Sequence, residues 1–218
     1  MHSRTKPRTE PYVWATWISK LLAGESTCLW SAWFRAHHQF AKTARADFDL
    51  DRWQTDHTAV VHRAAADFES KGYTVLTERQ NQFTLVGKTG TLAGRPDVVA
   101  IQGEDGWIID GKTGQPRASD RVQVMLYMWA LKKANPVFAG VRFKGRVEYL
   151  SRYNLIDSEE VDGTFVALVA DTMKLICGPD APRKAPSFEE CRCCPLTRED
   201  CADRVEAEAV LAGVTDEF

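Results

Sequence analysis

The chain predicts an α/β fold, a mixed β-sheet flanked by helices, on three grounds. Residues 55–71 carry an apolar stripe at helical spacing, Val60, Val61, Ala64, Ala65 and Phe68, closed by Gly72. Residues 94–112 read as two apolar strand runs, Val98 to Ile101 and Trp107 to Ile109, joined by the turn residues Gly103 to Gly106. A second helical segment, capped by Ser119, runs to about Ala134, with Asp120 in its first turn and Asn135-Pro136 as its stop.

The remaining elements follow in order. Residues 1–11 hold two prolines and several charges and are expected as a flexible lead. Residues 12–44 are rich in aromatics and helix formers, which predicts two helices with a break near Gly24. Strands are expected at 73–77, 83–86 and 141–150, and a further helix at 162–176. The Pro-rich stretch 178–186 leads to a cysteine cluster and a final acidic helix. This divides the chain into a lead (1–11), an N-terminal helical segment (12–50), an α/β core (51–176) and a C-terminal cysteine segment (177–218).

With 218 residues the chain can bury about 70% of its unfolded surface. It has no apolar run of membrane-spanning length and no apolar stretch behind the basic first residues, so no membrane and a cytoplasmic location are expected. The net charge of −2 hides an asymmetry, because residues 112–152 carry nine Lys or Arg against Asp120 and Glu148. Such a basic middle suits a polyanionic substrate. Four of the six cysteines fall between Cys191 and Cys201, which favours metal ligation over disulfides in a reducing compartment.

In the predicted hairpin, Asp97 and Asp110 fall roughly opposite each other, and Lys112 shares the face of Asp110. Two carboxylates held together among apolar strands want a cation, and hard oxygen ligands suit Mg²⁺ or Mn²⁺. On this stretch alone the competing reading is a solvated hairpin with an ordinary ion pair. Gln123 and Tyr127, four apart on the next helix, share one of its faces.

The series Gly94-Arg95-Pro96-Asp97, Asp110-Gly111-Lys112 and Gln123-x-x-x-Tyr127 resembles the PD-(D/E)XK nuclease superfamily, and within it the RecB-like branch. The resemblance implies a restriction-endonuclease-like core and a metal-dependent DNA nuclease, acting most readily as an exonuclease on single strands. It implies Asp97, Asp110, Lys112, Gln123 and Tyr127 as catalytic residues, with His62, Asp97, Asp110 and the Gly111 carbonyl around the metal. His62 stands at the place of that branch's helical histidine, and His57 lies close by. Arg117 and Arg121, beyond Lys112, are expected to touch the DNA backbone.

The cysteines extend the resemblance to the iron-sulfur subgroup, which includes AddB nuclease domains and the CRISPR-associated adaptation exonucleases. It implies a [4Fe-4S] cluster on Cys28, Cys191, Cys194 and Cys201, joining both ends of the chain in a small lobe. Cys193 could replace a neighbour, Cys177 is expected unliganded, and structural Zn²⁺ is the alternative metal. A separate helicase or a CRISPR adaptation complex is the expected partner, since no G-x-x-x-x-G-K-[ST] motif occurs here. The competing function is a catalytically silent or complex-dependent nucleic-acid-binding module stapled by its metal.

Overall fold

The structure is a computed structural model that describes residues 5–40 and 49–207. Within the expected lead, strand β1 (Lys6–Pro7) pairs antiparallel with β3 (His38–Gln39). Strand β2 (Tyr12–Trp14) runs directly into helix α1 (Ala15–Leu22), and α2 (Leu29–His37) follows. Sequence had placed Tyr12 in a helix. Aromatic and β-branched residues fit a pleated ladder as well, and here a partner strand decides. The break at Gly24 is present, with φ at +71°, a backbone state that glycine adopts without penalty.

Helix α3 (Leu50–Ser70) starts earlier than its apolar stripe because the Asp49 carboxylate accepts from Arg52 N at 3.0 Å and caps it. The strands are β4 (Thr74–Thr77), β5 (Phe83–Val86), β6 (Thr91–Gly94), β7 (Val98–Gln102) and β8 (Asp105–Lys112). Helix α4 (Ala118–Ala134), strands β9 (Arg142–Tyr149) and β10 (Tyr153–Ile156), and helices α5 (Gly163–Cys177) and α6 (Phe188–Cys193) complete the order. Sequence did not reveal β6 or β10, both only four residues long. Residues 201–207 are not helical, and the rest of the expected acidic helix lies outside the described residues.

Five strands form a mixed sheet in the order β10-β9-β8-β7-β4, parallel only between β8 and β9, which α4 connects. A smaller sheet, β2-β6-β5, lies apart from it. Alternation along the hairpin divides the core in two. Val98, Ala100 and Ile109 pack with Val61, Ala64 and Phe68 of α3, while Val99 and Ile108 pack with Val124 and Leu126 of α4. Both sheet faces are therefore covered, and each such fully buried side chain contributes about 1.5–3 kcal/mol.

The start of α4 departs from expectation in a useful way. Arg117 is the residue before its first turn, and Arg117 N donates to the Asp120 carboxylate at 3.0 Å. Ser119 is not the cap. Its N–H and hydroxyl both donate to the carboxylate of Glu25, at 2.8 and 2.6 Å, from the loop between α1 and α2. That loop also grips the C-terminal segment, since Ser26 and Thr27 hydroxyls donate to Glu190 of α6 at 3.0 and 2.9 Å.

Candidate active site

The hairpin turns at Gly103 and Glu104, pairing Gln102 with Asp105 and Val98 with Ile109. Continued one step, this register sets Asp97 beside Asp110, as sequence predicts. Strand alternation puts Asp110 and Lys112 on the α4 side with Ile108, and it turns Gly111 toward α3, where a Cβ would lie 3.1 Å from Val60. Asp97 Oδ2 accepts from Gly111 N at 2.8 Å and meets His57 Nε2 at 3.2 Å.

Asp110 is only 3% exposed. Its Oδ1 accepts from Gln123 Nε2 at 3.1 Å, and its Oδ2 faces the Lys112 ammonium at 2.5 Å as an ion pair without a well-aligned hydrogen bond. Burial pushes the Asp110 carboxyl up to about 6, Lys112 opposes this, and the neighbouring Asp97 adds to it. Burial alone would lower Lys112, but Asp110 beside it wins and holds the amine above its ordinary value.

Gln123 is the hub behind this pair. Its Oε1 accepts from Lys112 Nζ at 3.1 Å, and its Nε2 donates to Asp110 and, at 2.9 Å, to Tyr127 Oη. Tyr127 is nearly buried, which raises its phenol, and it meets Phe83 edge-on with ring centres 5.9 Å apart. Tyr127 reaches this position because Gly94 has no side chain: a Cβ there would come within 2.6 Å of the Tyr127 ring and 2.7 Å of Phe83.

Of the predicted site residues, the structure gathers Asp97, Asp110, Gly111, Lys112, Gln123 and Tyr127 around a cleft of about 430 Å³, with Arg117 also in its wall. His62 and Arg121 are corrections. His62 is exposed and lines a separate cavity with Thr77 and Glu78, because it lies off the buried stripe of α3. His57 shares that stripe, three and four residues before Val60 and Val61, and it faces Asp97 instead. Asp97 raises the His57 imidazole by hydrogen bonding, against the effect of burial. Arg121 is spent on structure, donating to Leu155 O at 2.7 Å and pairing with Glu160. Of the basic middle of the chain, Lys112 and Arg117 reach the cleft, whereas Arg142 pairs with Asp105 and Arg146 is buried against Glu148 and Asp67.

Among the cleft residues that sequence reasoning missed are Lys20, Trp53 and Asp120. Trp53 stacks on His57 at 5.0 Å, and their four-residue spacing was the available signal. Asp120 accepts from Tyr149 Oη at 3.1 Å and was read only as a first-turn acid.

The cysteines form a second centre. Cys28, Cys191, Cys194 and Cys201 all line one narrow cavity of about 20 Å³, walled by Trp30, Pro186 and Leu196. Lys184 and Arg204 add positive charge there, Arg204 Nη1 donating to Leu196 O at 2.7 Å and Cys194 O at 3.2 Å. Cys193 is exposed on the neighbouring groove, and Cys177 is buried elsewhere, under Gly90. All six thiols are free. Among the described residues, no three His, Cys, Asp or Glu side chains gather tightly enough to hold a metal ion as they stand.

The chemistry of both donor sets nevertheless fits metals. Asp110 Oδ2 is a buried carboxylate oxygen with no aligned hydrogen bond, beside a second carboxylate, which suits a hard divalent cation. Four thiols in an apolar wall with cations behind them suit iron-sulfur or zinc.

A family model described as the PD-(D/E)XK nuclease superfamily matches residues 11–199. Among curated proteins none matches. Among solved structures, the crystal structure of SSO0001 is similar at 18% identity, over 87% of this chain and 85% of that one, with a TM-score of 0.37.

Proposed function

Because the chain belongs to the PD-(D/E)XK nuclease superfamily, whose members typically use Mg²⁺ or Mn²⁺, we propose that it is a metal-dependent deoxyribonuclease of the RecB-like branch. Its substrate on this reading is single-stranded DNA, degraded from an end. The observation that carries the proposal is the convergence of Asp97, Asp110 and the Lys112 ammonium on one open cleft, with Gln123 bonded to both members of the buried pair.

Asp97 and Asp110, with the Gly111 carbonyl and His57, would hold the cation. When bound, the cation supplies Lewis-acid charge to the phosphodiester and eases deprotonation of water. Lys112, beside Asp110, would position or deprotonate the attacking water and place positive charge where negative charge develops at phosphorus. Gln123 fixes the directions of Asp110 and Lys112, and Tyr127 fixes Gln123. Arg117, on the cleft wall, would contact the backbone of the strand.

Cys28, Cys191, Cys194 and Cys201 would carry a [4Fe-4S] cluster, with structural Zn²⁺ as the alternative, and a separate helicase or a CRISPR adaptation complex would be the partner. An anaerobically purified sample that is colourless and zinc-loaded would exclude the cluster. The central test is cleavage of end-labelled single-stranded and duplex DNA with Mg²⁺, Mn²⁺ or chelator. Wild type is expected to shorten the single strand only with metal, and Asp110→Ala or Lys112→Ala to lower the rate roughly 100- to 1,000-fold. Intact DNA in every metal condition would refute the nuclease reading.

A further inference from the structure

A groove of about 540 Å³ lies between the α1–α2 region and the cysteine segment, and it shares Lys20 and Arg117 with the catalytic cleft. It is therefore continuous with the cleft. Its volume is that of a pocket for a ligand of drug size, which one or two nucleotides fill. Three acids stand in its wall, and all three are committed. Glu25 binds Ser119, Glu190 binds Ser26 and Thr27, and Glu189 pairs with Arg192 at 2.8 Å.

Arg35 is the opposite case. Its guanidinium lies 4.3 Å from the centre of the Trp17 ring, and among the described residues it has neither an ion pair nor a hydrogen-bonded Nε. Arg35 is partly buried, and a cation withdrawn from water without a partner is stabilised when an anion joins it. Arginine held against an aromatic ring also has fewer orientations to give up on bonding to phosphate.

We propose that this groove is a second phosphate subsite, in which Arg35 binds the backbone of the same nucleic-acid strand next to the scissile phosphate. The proposal rests on the nuclease reading above and adds a residue and a path to it: the strand leaves the carboxylate cleft past Lys20 and Arg117 and runs along the cysteine segment. A single strand can follow this path, since its bases are free to turn away from a backbone track.

The test is binding of a fluorescent oligothymidylate in chelator, followed by anisotropy over a series of salt concentrations, for wild type and Arg35→Gln. Removing one phosphate contact is expected to weaken binding roughly tenfold and to reduce the slope of log K against log salt by about 1. Iron and zinc content is measured in parallel. Unchanged affinity and slope would overturn the proposal, and so would loss of metal from Arg35→Gln, because Arg35 would then serve the cysteine centre. A second measurement needs only wild type. The oligonucleotide is expected to slow alkylation of Cys193, exposed in the groove wall, several-fold by peptide mass spectrometry, and equal rates would overturn the subsite. Cleavage of the same oligonucleotide with Mn²⁺ separates the two ideas: cleavage without these effects removes the subsite alone, whereas neither binding nor cleavage removes the nuclease reading.

Discussion

His57 and His62 are five residues apart on one helix, about 140° around its axis. One faces Asp97 at 3.2 Å and the other faces solvent. His57→Ala is expected to lower metal affinity and DNA cleavage roughly 10- to 100-fold, while His62→Ala stays near wild type. Metal titration by calorimetry together with the cleavage assay checks this, and the reverse order would restore His62. Asp67 allows a test by pH. Lys71 and Arg146 hold its carboxyl below the ordinary value of 3.8. A lowered folded value means that its contribution is present above 3.8 and disappears as pH falls through the folded value. Asp67→Asn should therefore cost up to about 1 kcal/mol at pH 7, with the gap from wild type closing as pH falls below 3.8 in thermal melts. At this scale Asp97, Asp110 and Lys112 were legible because strand alternation is strict. His57 against His62 depended on which helix face is buried, and for that the Val60-Val61 stripe was the evidence.

The elements that set the site were only partly readable. Helices α3 and α4 and the β7–β8 hairpin announce themselves by periodicity, but β6 ends in Gly94 and looks like a loop. Its glycine is what lets Tyr127 reach Gln123. Gly94→Ala would drive a methyl group to within 2.6 Å of the Tyr127 ring, so a loss of about 1–3 kcal/mol in urea unfolding is expected, with a fall in cleavage as Tyr127 shifts. Unchanged stability and rate would show that the ring has room to give. The start of α4 was misread for a different reason. Ser119 has the chemistry of a cap, yet a carboxylate from a distant loop takes both of its donors, and no local rule foresees a partner 94 residues away.

At the scale of the molecule, contacts between the two ends surround the cysteine centre. Thr5 donates to Asp200 at 2.6 Å, Trp33 Nε1 to Gly178 O at 2.9 Å, and Glu190 receives Ser26 and Thr27. The clustering of cysteines made this joining legible, whereas the hydrogen bonds around it involve common polar residues that carry no signal in sequence. If the four thiols carry the proposed metal, stripping it anaerobically is expected to remove about 2–5 kcal/mol of stability, the scale of a cross-link that closes a loop this long. Calorimetry of loaded and stripped protein measures it, and identical melting would leave the thiols without a structural role.

The same joining has a consequence for synthesis on the ribosome. Ser31 meets Cys194 across 163 residues. At about 5–20 residues per second, that span takes roughly ten to thirty seconds to emerge. For that interval a nascent chain carries Cys28 and Trp30 with their cavity unbuilt, a reactive thiol beside a bare indole. Helices α1 and α2 are thus made well before the segment that completes their surroundings, and a chaperone would act on them in that interval.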